Sequence, residues 1–286
     1  YLINSYYMSS KDLLESVKKL REVTGVGFKD CKLAIDESNG DIEKAIEFLR
    51  KKGIAKASNK MSRTAAEGLC LLNEKNGEVS LIEINCETDF VAKNESFISF
   101  CKEVSIINFE NKSDLSKVNK ANMKNNLPVA TNLTDLIAKM GEKITIRRSI
   151  FFDSLNGKNS FYVHSALEDK IGKIISIVKT SEESDLGKKI AMHVSALTPT
   201  ALDEQSLSKD IVNKEIEIIK AELLNSGKQP EMIEKIAKGK INKFISDNTL
   251  INQTWIMDPK KKVLDVLKDS NIKVVDFIRY KVGEGV

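Results

Sequence analysis

The sequence predicts an α+β protein: a small N-terminal three-helix bundle, a core of two sheet-plus-helix subdomains, and a helical hairpin inserted in the second subdomain. Three observations carry this reading. At the start of the chain, apolar residues recur at helical spacing between tight glycine turns. Short apolar runs at 69–84, and again at 142–179, each lead into a helical pattern. From Ile211 to Ile245 an amphipathic pattern is broken once, at Ser226-Gly227-Lys228-Gln229-Pro230, as in two antiparallel helices joined by a turn.

A chain of 286 residues exceeds one typical domain. The expected boundaries are a three-helix domain at 9–53, a linker at 54–62, a first core subdomain at 63–141, a second at 142–202 with 250–286, and the hairpin at 203–249. Hydrophobic content of 41% suffices for packed cores, and 30% charged residues suits a helix-rich, solvated surface. Net charge is only +4 with both signs interspersed, unlike the concentrated basic face of a nucleic-acid binder, so no direct nucleic-acid partner is expected. No apolar run reaches the ~18–20 residues needed to span a bilayer, so no membrane partner is expected either. Cys31, Cys70, Cys86 and Cys101 lie far apart among apolar neighbours, without zinc spacing, and read as reduced core thiols. That fits a reducing compartment. The Tyr-rich lead-in, Tyr1 to Tyr7, has no signal-peptide core.

Ser9 or Ser10 caps a first helix that ends near residue 23, with Leu13, Leu14, Val17 and Leu20 on one face. Thr24-Gly25-Val26-Gly27-Phe28 breaks it. A second helix over 29–38 turns Cys31, Ala34 and Ile35 inward, and Asn39-Gly40 ends it. Asp41 caps a third over 42–52, stopped at Gly53. Gly25-x-Gly27 follows a helix and lacks a preceding strand, so it is not a phosphate loop. The Lys-rich stretch at 54–62 reads as a solvated linker.

Strands are expected at 69–72 and 79–84 about the turn Asn76-Gly77, then a corner at Glu87-Thr88-Asp89-Phe90. Asn94 caps the next helix, which carries Phe97, Phe100, Cys101 and Val104 and ends near Phe109. Functional residues collect at such corners. By chemistry alone, however, Phe90 is expected to turn inward and plug the core, as Phe commonly does. The polar stretch at 111–126 reads as weakly structured, and 133–140 as a helix stopped at Gly141. Strands follow at 142–152, 160–167 and 173–179, then a helix over 186–197 closed by Pro199. After the hairpin come a short helix at 263–268 and a last strand at 274–282.

An enzyme needs a nucleophile, a base and an orienting group. Only His164 and His193 are available as histidines, and His193, mid-helix on an apolar face, reads as a core residue. Glu87 and Asp89 diverge at the corner and make no acid–base pair. No catalytic site, metal site or cofactor is expected, and the protein is read as a non-enzyme.

Several stretches resemble the elongation factor Ts family. Thr88-Asp89-Phe90-Val91-Ala92-Lys93-Asn94 is similar to that family's signature. So are Leu20 to Ile35 with Asn39-Gly40-Asp41-Ile42-Glu43-Lys44-Ala45-Ile46, the segments Ser226-Gly227-Lys228 and Glu234 to Phe244, and the closing Phe277-Ile278-Arg279-Tyr280-Lys281-Val282-Gly283-Glu284-Gly285. The resemblance runs in order from Leu13 to Gly285. It implies a ubiquitin-associated-like N-terminal bundle and a guanine-nucleotide exchange factor that binds the GTPase elongation factor Tu and promotes GDP release during translation elongation. It implies that Phe90 wedges into the partner near the nucleotide and magnesium site, beside Asp89, Thr88 and Val91. Further partner contacts implied are Arg21, Phe28 and Lys29 in the bundle, and His164, Ile256 and Met257 in the second subdomain. Bacterial relatives often carry two methionines where Phe28 and Lys29 stand, a departure that alters this contact's packing. On burial statistics Phe28 also suits the bundle core. Many members self-associate through the helical hairpin, while such hairpins also pack on their own domain; both stay open. The competing reading is a ribosome- or RNA-associated adaptor that binds through the Lys-rich linker and hairpin.

Overall fold

The computed structural model describes residues 10–24, 26, 28–49, 51, 64–224 and 229–286. The Tyr-rich lead-in, the glycines at 25, 27 and 53, the linker at 54–62 and the hairpin turn at 226–228 lie outside the described residues.

The N-terminal bundle comprises α1 (Ser10–Thr24), α2 (Phe28–Glu37) and α3 (42–49). Val17, Leu20, Cys31, Ala34, Ile35, Ala45 and Leu49 close its core. After α2, Asn39 and Gly40 adopt positive φ, and the Gly40 N–H reaches the Ile35 carbonyl at 2.9 Å, as a glycine-terminated helix end does. The Asp41 carboxylate then accepts the Lys44 N–H at 3.1 Å and caps α3.

The chain divides into two compact units. The first holds the chain to Asn73, Ser80–Phe151 and Val282–Val286; the second holds Glu74–Val79 and Phe152–Lys281.

In the first unit β1 (Glu67–Lys75), β2 (Glu78–Cys86) and β3 (Thr145–Phe152) lie in the order β3-β2-β1. Asn76 and Gly77 both take positive φ at the β1–β2 hairpin, matching the Asn-Gly signal. Every residue of β2 after Glu78 is buried. Gly68 lets the strands close up, since a Cβ there would lie 2.1 Å from the Ile84 carbonyl oxygen. A short helix α4 (Asp89–Ala92) precedes α5 (Glu95–Glu110), which buries Phe97, Phe100, Cys101, Val104 and Ile107.

The stretch at 111–126 is ordered, not weakly structured as its composition suggests. Asp114 accepts the N–H groups of Ser116 and Lys117 at 3.0 and 3.2 Å and starts α6 (Leu115–Lys120). Val118 and Met123 are buried, and Asn122 bridges to Pro128. A side-chain cap and two buried apolar residues outweigh the polar composition. Next, α7 (Val129–Met140) starts directly after Pro128, earlier than its apolar spacing indicates, and ends at Gly141 in the left-handed region.

The second unit pairs β5 (Ile171–Thr180) antiparallel with both β4 (Lys158–Glu168) and β6 (Val274–Lys281). Ser184 caps α8 (Asp185–Leu197). Leu186, Ile190, Ala191 and Val194 from α8 pack with Val178, Leu250 and Trp255, and with Val263 and Leu267 of α11 (Val263–Asp269). The hairpin α9 (Lys209–Leu224) and α10 (Pro230–Asn248) has its own small core of Ile219, Leu223 and Ala237. Ile211, Ile218 and Met232 stay exposed on it.

Candidate partner-binding surfaces

The expectation that Phe90 plugs the core is overturned. Phe90 is 81% exposed, the highest value among the exposed large apolar residues described. The local fold explains this. Thr88 sits in extended conformation as the N-cap of α4, and its hydroxyl accepts the Val91 N–H at 3.4 Å. One turn of helix then directs alternate groups apart: Val91 and Ala92 point inward, and Phe90 outward. Asp89 pairs with Lys93 at 2.8 Å, an i,i+4 contact that raises the Lys93 pKa above its ordinary value. Asn94 ends the turn and caps α5 by accepting the Ser96 N–H at 2.9 Å.

The corner is also held from a distance. Glu142 Oε2 accepts the backbone N–H groups of Glu87 and Thr88 at 3.2 and 3.0 Å, and Oε1 accepts the Thr88 hydroxyl at 2.7 Å. The Glu87 carboxylate in turn accepts the Lys143 N–H at 2.6 Å. Glu87 thus bonds the Lys143 backbone while Asp89 pairs with the Lys93 side chain. Sequence reasoning missed Glu142, and its only signal was a carboxylate next to the helix-ending Gly141.

In the second unit a cavity of about 690 Å³ is lined by Tyr162, His164, Met192, Ile256, Met257 and Arg279, among others. It brings together the three residues singled out there from the resemblance. Ile256 and Met257 are 45% and 46% exposed, and His164 is exposed with Nδ1 3.3 Å from the Tyr162 hydroxyl. Tyr162 and Met192 join them because β4 and α8 face the same space, which spacing along one chain does not reveal.

His193 lies beneath this surface, fully buried as expected of a core histidine. It stacks on Trp255 at 5.2 Å, and its Nδ1 accepts the Ile256 N–H at 3.3 Å. Nε2 therefore carries the proton and donates to Gln253 Oε1 at 2.9 Å. Burial pushes its pKa below the ordinary 6.5, only partly offset by Gln253.

In the bundle Arg21, Phe28 and Lys29 are all exposed, and Phe28 at 43% stands outside the core in which burial statistics would place it. Val91 alone among the singled-out residues is buried, so it supports the corner from below. All four cysteines are buried thiols outside any disulfide. Burial raises the thiol pKa of Cys31 and, more strongly, of Cys101. Among the described residues no group of three or more His, Cys, Asp or Glu side chains is placed to hold a metal, and no helix is long and apolar enough to cross a membrane.

An apolar ring held out on a pinned turn in the first unit and, separately, a histidine- and methionine-lined cavity in the second are surfaces of the kind by which a protein-binding factor engages its partner. Residues 87–284 match the protein family described as Elongation factor TS. The chain is 38% identical to an elongation factor Ts from Gluconobacter oxydans over 276 residues, covering 94% of this chain and 91% of that protein. It is 40% identical to one from Psychrobacter arcticus over 272 residues, covering 94% and 90%. It is also 40% identical to one from Rhodopseudomonas palustris over 284 residues, covering 94% and 92%. The chain belongs to the elongation factor Ts family, the nucleotide-exchange factors for elongation factor Tu in translation elongation.

Proposed function

We propose that this protein binds GDP-bound elongation factor Tu and speeds GDP release by inserting Phe90 near the partner's nucleotide and magnesium site. The observation that carries the reading is an almost fully exposed phenylalanine on a one-turn helix pinned at its cap. An apolar ring so displayed gains most of its burial energy only when a second chain covers it. Exchange needs no bond chemistry. The factor binds the nucleotide-free GTPase more tightly than the GDP-bound form, and by linkage it weakens GDP by the same factor.

Burying one Phe is worth about 1.5–3 kcal/mol, or about one to two decades of affinity. Further contacts must supply the rest. Arg21, Phe28 and Lys29 of the bundle, and Tyr162, His164, Ile256 and Met257 of the second unit, offer exposed or partly exposed groups of the right kind. Asp89, already paired with Lys93, brings a carboxylate beside the ring. Thr88 and Val91 act by holding the turn. The adaptor alternative leans on the linker at 54–62, outside the described residues, and on hairpin lysines of which Lys240 and Lys243 are paired with Glu222 and Asp247.

The test is release of fluorescent GDP from purified elongation factor Tu. Phe90→Ala should slow stimulated release at least about tenfold, the decade assigned to the ring, while circular dichroism stays unchanged. Unchanged release from a folded variant would remove the wedge.

A further inference from the structure

Phe90 cannot hold its own position. The residue is 81% exposed, and the helix that carries it, Asp89–Ala92, is four residues long. Isolated helices shorter than about 12–15 residues are marginal in water, so α4 exists only because something outside it fixes its first turn. That turn begins at Thr88, whose carbonyl accepts the Ala92 N–H at 3.2 Å. The same carbonyl also accepts the Cys86 thiol at 3.2 Å.

The outside support is Glu142. Its two carboxylate oxygens take the Glu87 N–H, the Thr88 N–H and the Thr88 hydroxyl, across 54–55 residues of sequence. These are charge-assisted bonds, among the stronger kinds in a protein. They also set the Thr88 rotamer. With its hydrogen committed to Glu142 Oε1, the Thr88 oxygen turns a lone pair to the Val91 N–H and caps α4. The return bond, Lys143 N–H to Glu87 Oε1, fixes Glu142 by the same logic, so each segment's carboxylate satisfies the other's backbone. Gly141, in the left-handed region at φ 77°, turns the chain out of α7 immediately before Glu142.

We propose that Glu142 is a positioning residue for nucleotide exchange: it never touches the partner's nucleotide, and it acts by holding the Thr88 cap so that Phe90 stays presented. This rests on the wedge reading above. Without Glu142 the protein still docks through its bundle and second unit, but the ring arrives on a frayed turn. The signature is therefore a split. The concentration of factor giving half-maximal stimulation changes little, while maximal GDP release falls about fivefold, the typical worth of an N-cap.

The experiment is a double-mutant cycle in the fluorescent-GDP assay, using Glu142→Ala, Phe90→Ala and their combination in the full chain, with Glu142→Gln as the conservative variant. Expected are a lower maximal rate at nearly unchanged half-saturation for Glu142→Ala, and a double variant no slower than Phe90→Ala alone, because both remove one action. Glu142→Gln keeps an acceptor for the two backbone N–H groups and the side-chain volume, and should recover most of the rate. Should Glu142→Ala fail to fold, Thr88→Val, which removes the hydroxyl that Glu142 Oε1 holds, carries the cycle: a rate loss that vanishes in the Phe90→Ala background supports the proposal, and one that persists there, or no loss at all, overturns it. Equal and additive losses in both backgrounds, a shift in half-saturation alone, or an unchanged rate in a folded Glu142→Ala also overturn it. If Phe90→Ala itself has no effect, the wedge reading fails first, and that outcome is visible separately in the single variant.

Discussion

Phe90 and His193 are opposite solutions to placing a ring. Phe90 forgoes, in the free protein, the roughly 1.5–3 kcal/mol that burial of its side chain would contribute. Its truncation should accordingly leave the thermal unfolding midpoint almost where it was, so a loss of exchange cannot be laid to misfolding. His193 is wholly enclosed, neutral, and bonded on both nitrogens, to Gln253 and to the Ile256 backbone. Because its folded pKa lies below the ordinary 6.5, the unfolded chain binds the extra proton first as pH falls. Its contribution to stability is present above 6.5 and is lost as pH drops toward the folded value. Unfolding free energy measured between about pH 8 and about pH 5 should decline on the acid side. A His193→Gln variant should show a flatter profile over that window, and an equally steep one would show that other groups set the slope.

At the scale of elements, the corner works because two helices meet end to end with separate caps. Thr88 starts α4 and Asn94 starts α5, so the chain changes direction without leaving α5 to orient Phe90. Asn94→Ala removes the acceptor for the Ser96 N–H and should cost about 1 kcal/mol by denaturant unfolding, the usual worth of an N-cap. Exchange should suffer less than with Phe90→Ala, since Thr88 and Glu142 still hold α4. A loss of exchange equal to that of Phe90→Ala would mean that α5, not α4, aims the ring. Similar capping turned the polar stretch after α5 into helix α6: Asp114 supplied a start and Val118 a buried anchor. Read for apolar content alone, that stretch looks empty, because one buried valine in six residues makes no period.

At the scale of the whole molecule, the last residues are held in the first unit by the buried Glu83 carboxylate and by Arg147, whose Nη2 donates to the Glu284 carbonyl at 2.6 Å. Glu83, on the fully enclosed β2, accepts the Gly283 N–H at 2.8 Å, the Asn85 amide at 2.9 Å and the Arg147 and Arg148 guanidinium groups. Burial pushes its carboxyl pKa up, but Gly283, Asn85 and Arg148 together hold it below the ordinary 4.5. The stability it contributes is present above 4.5 and lost as pH falls through the folded value, a second acid window that opens at lower pH than that of His193. Glu83→Ala should cost about 3 kcal/mol, as breaking a buried ion pair does, and an unfolding midpoint within error of the parent would refute the lock. The helices of the bundle, the Asn76-Gly77 hairpin, the Asn94 cap and the buried His193 were all legible from the sequence, because each is written in neighbouring residues: a helical period, a turn dipeptide, a cap, an apolar face. The exposure of Phe90 was misjudged from its chemistry, since a side chain's preference for burial says nothing about which way one turn of helix will aim it. Glu142 under Thr88, Tyr162 and Met192 beside Ile256, and Arg147 and Arg148 around Glu83 were decided by tertiary structure alone. Those partners are brought together by strand pairing and helix packing across tens of residues, and no local period records such a meeting.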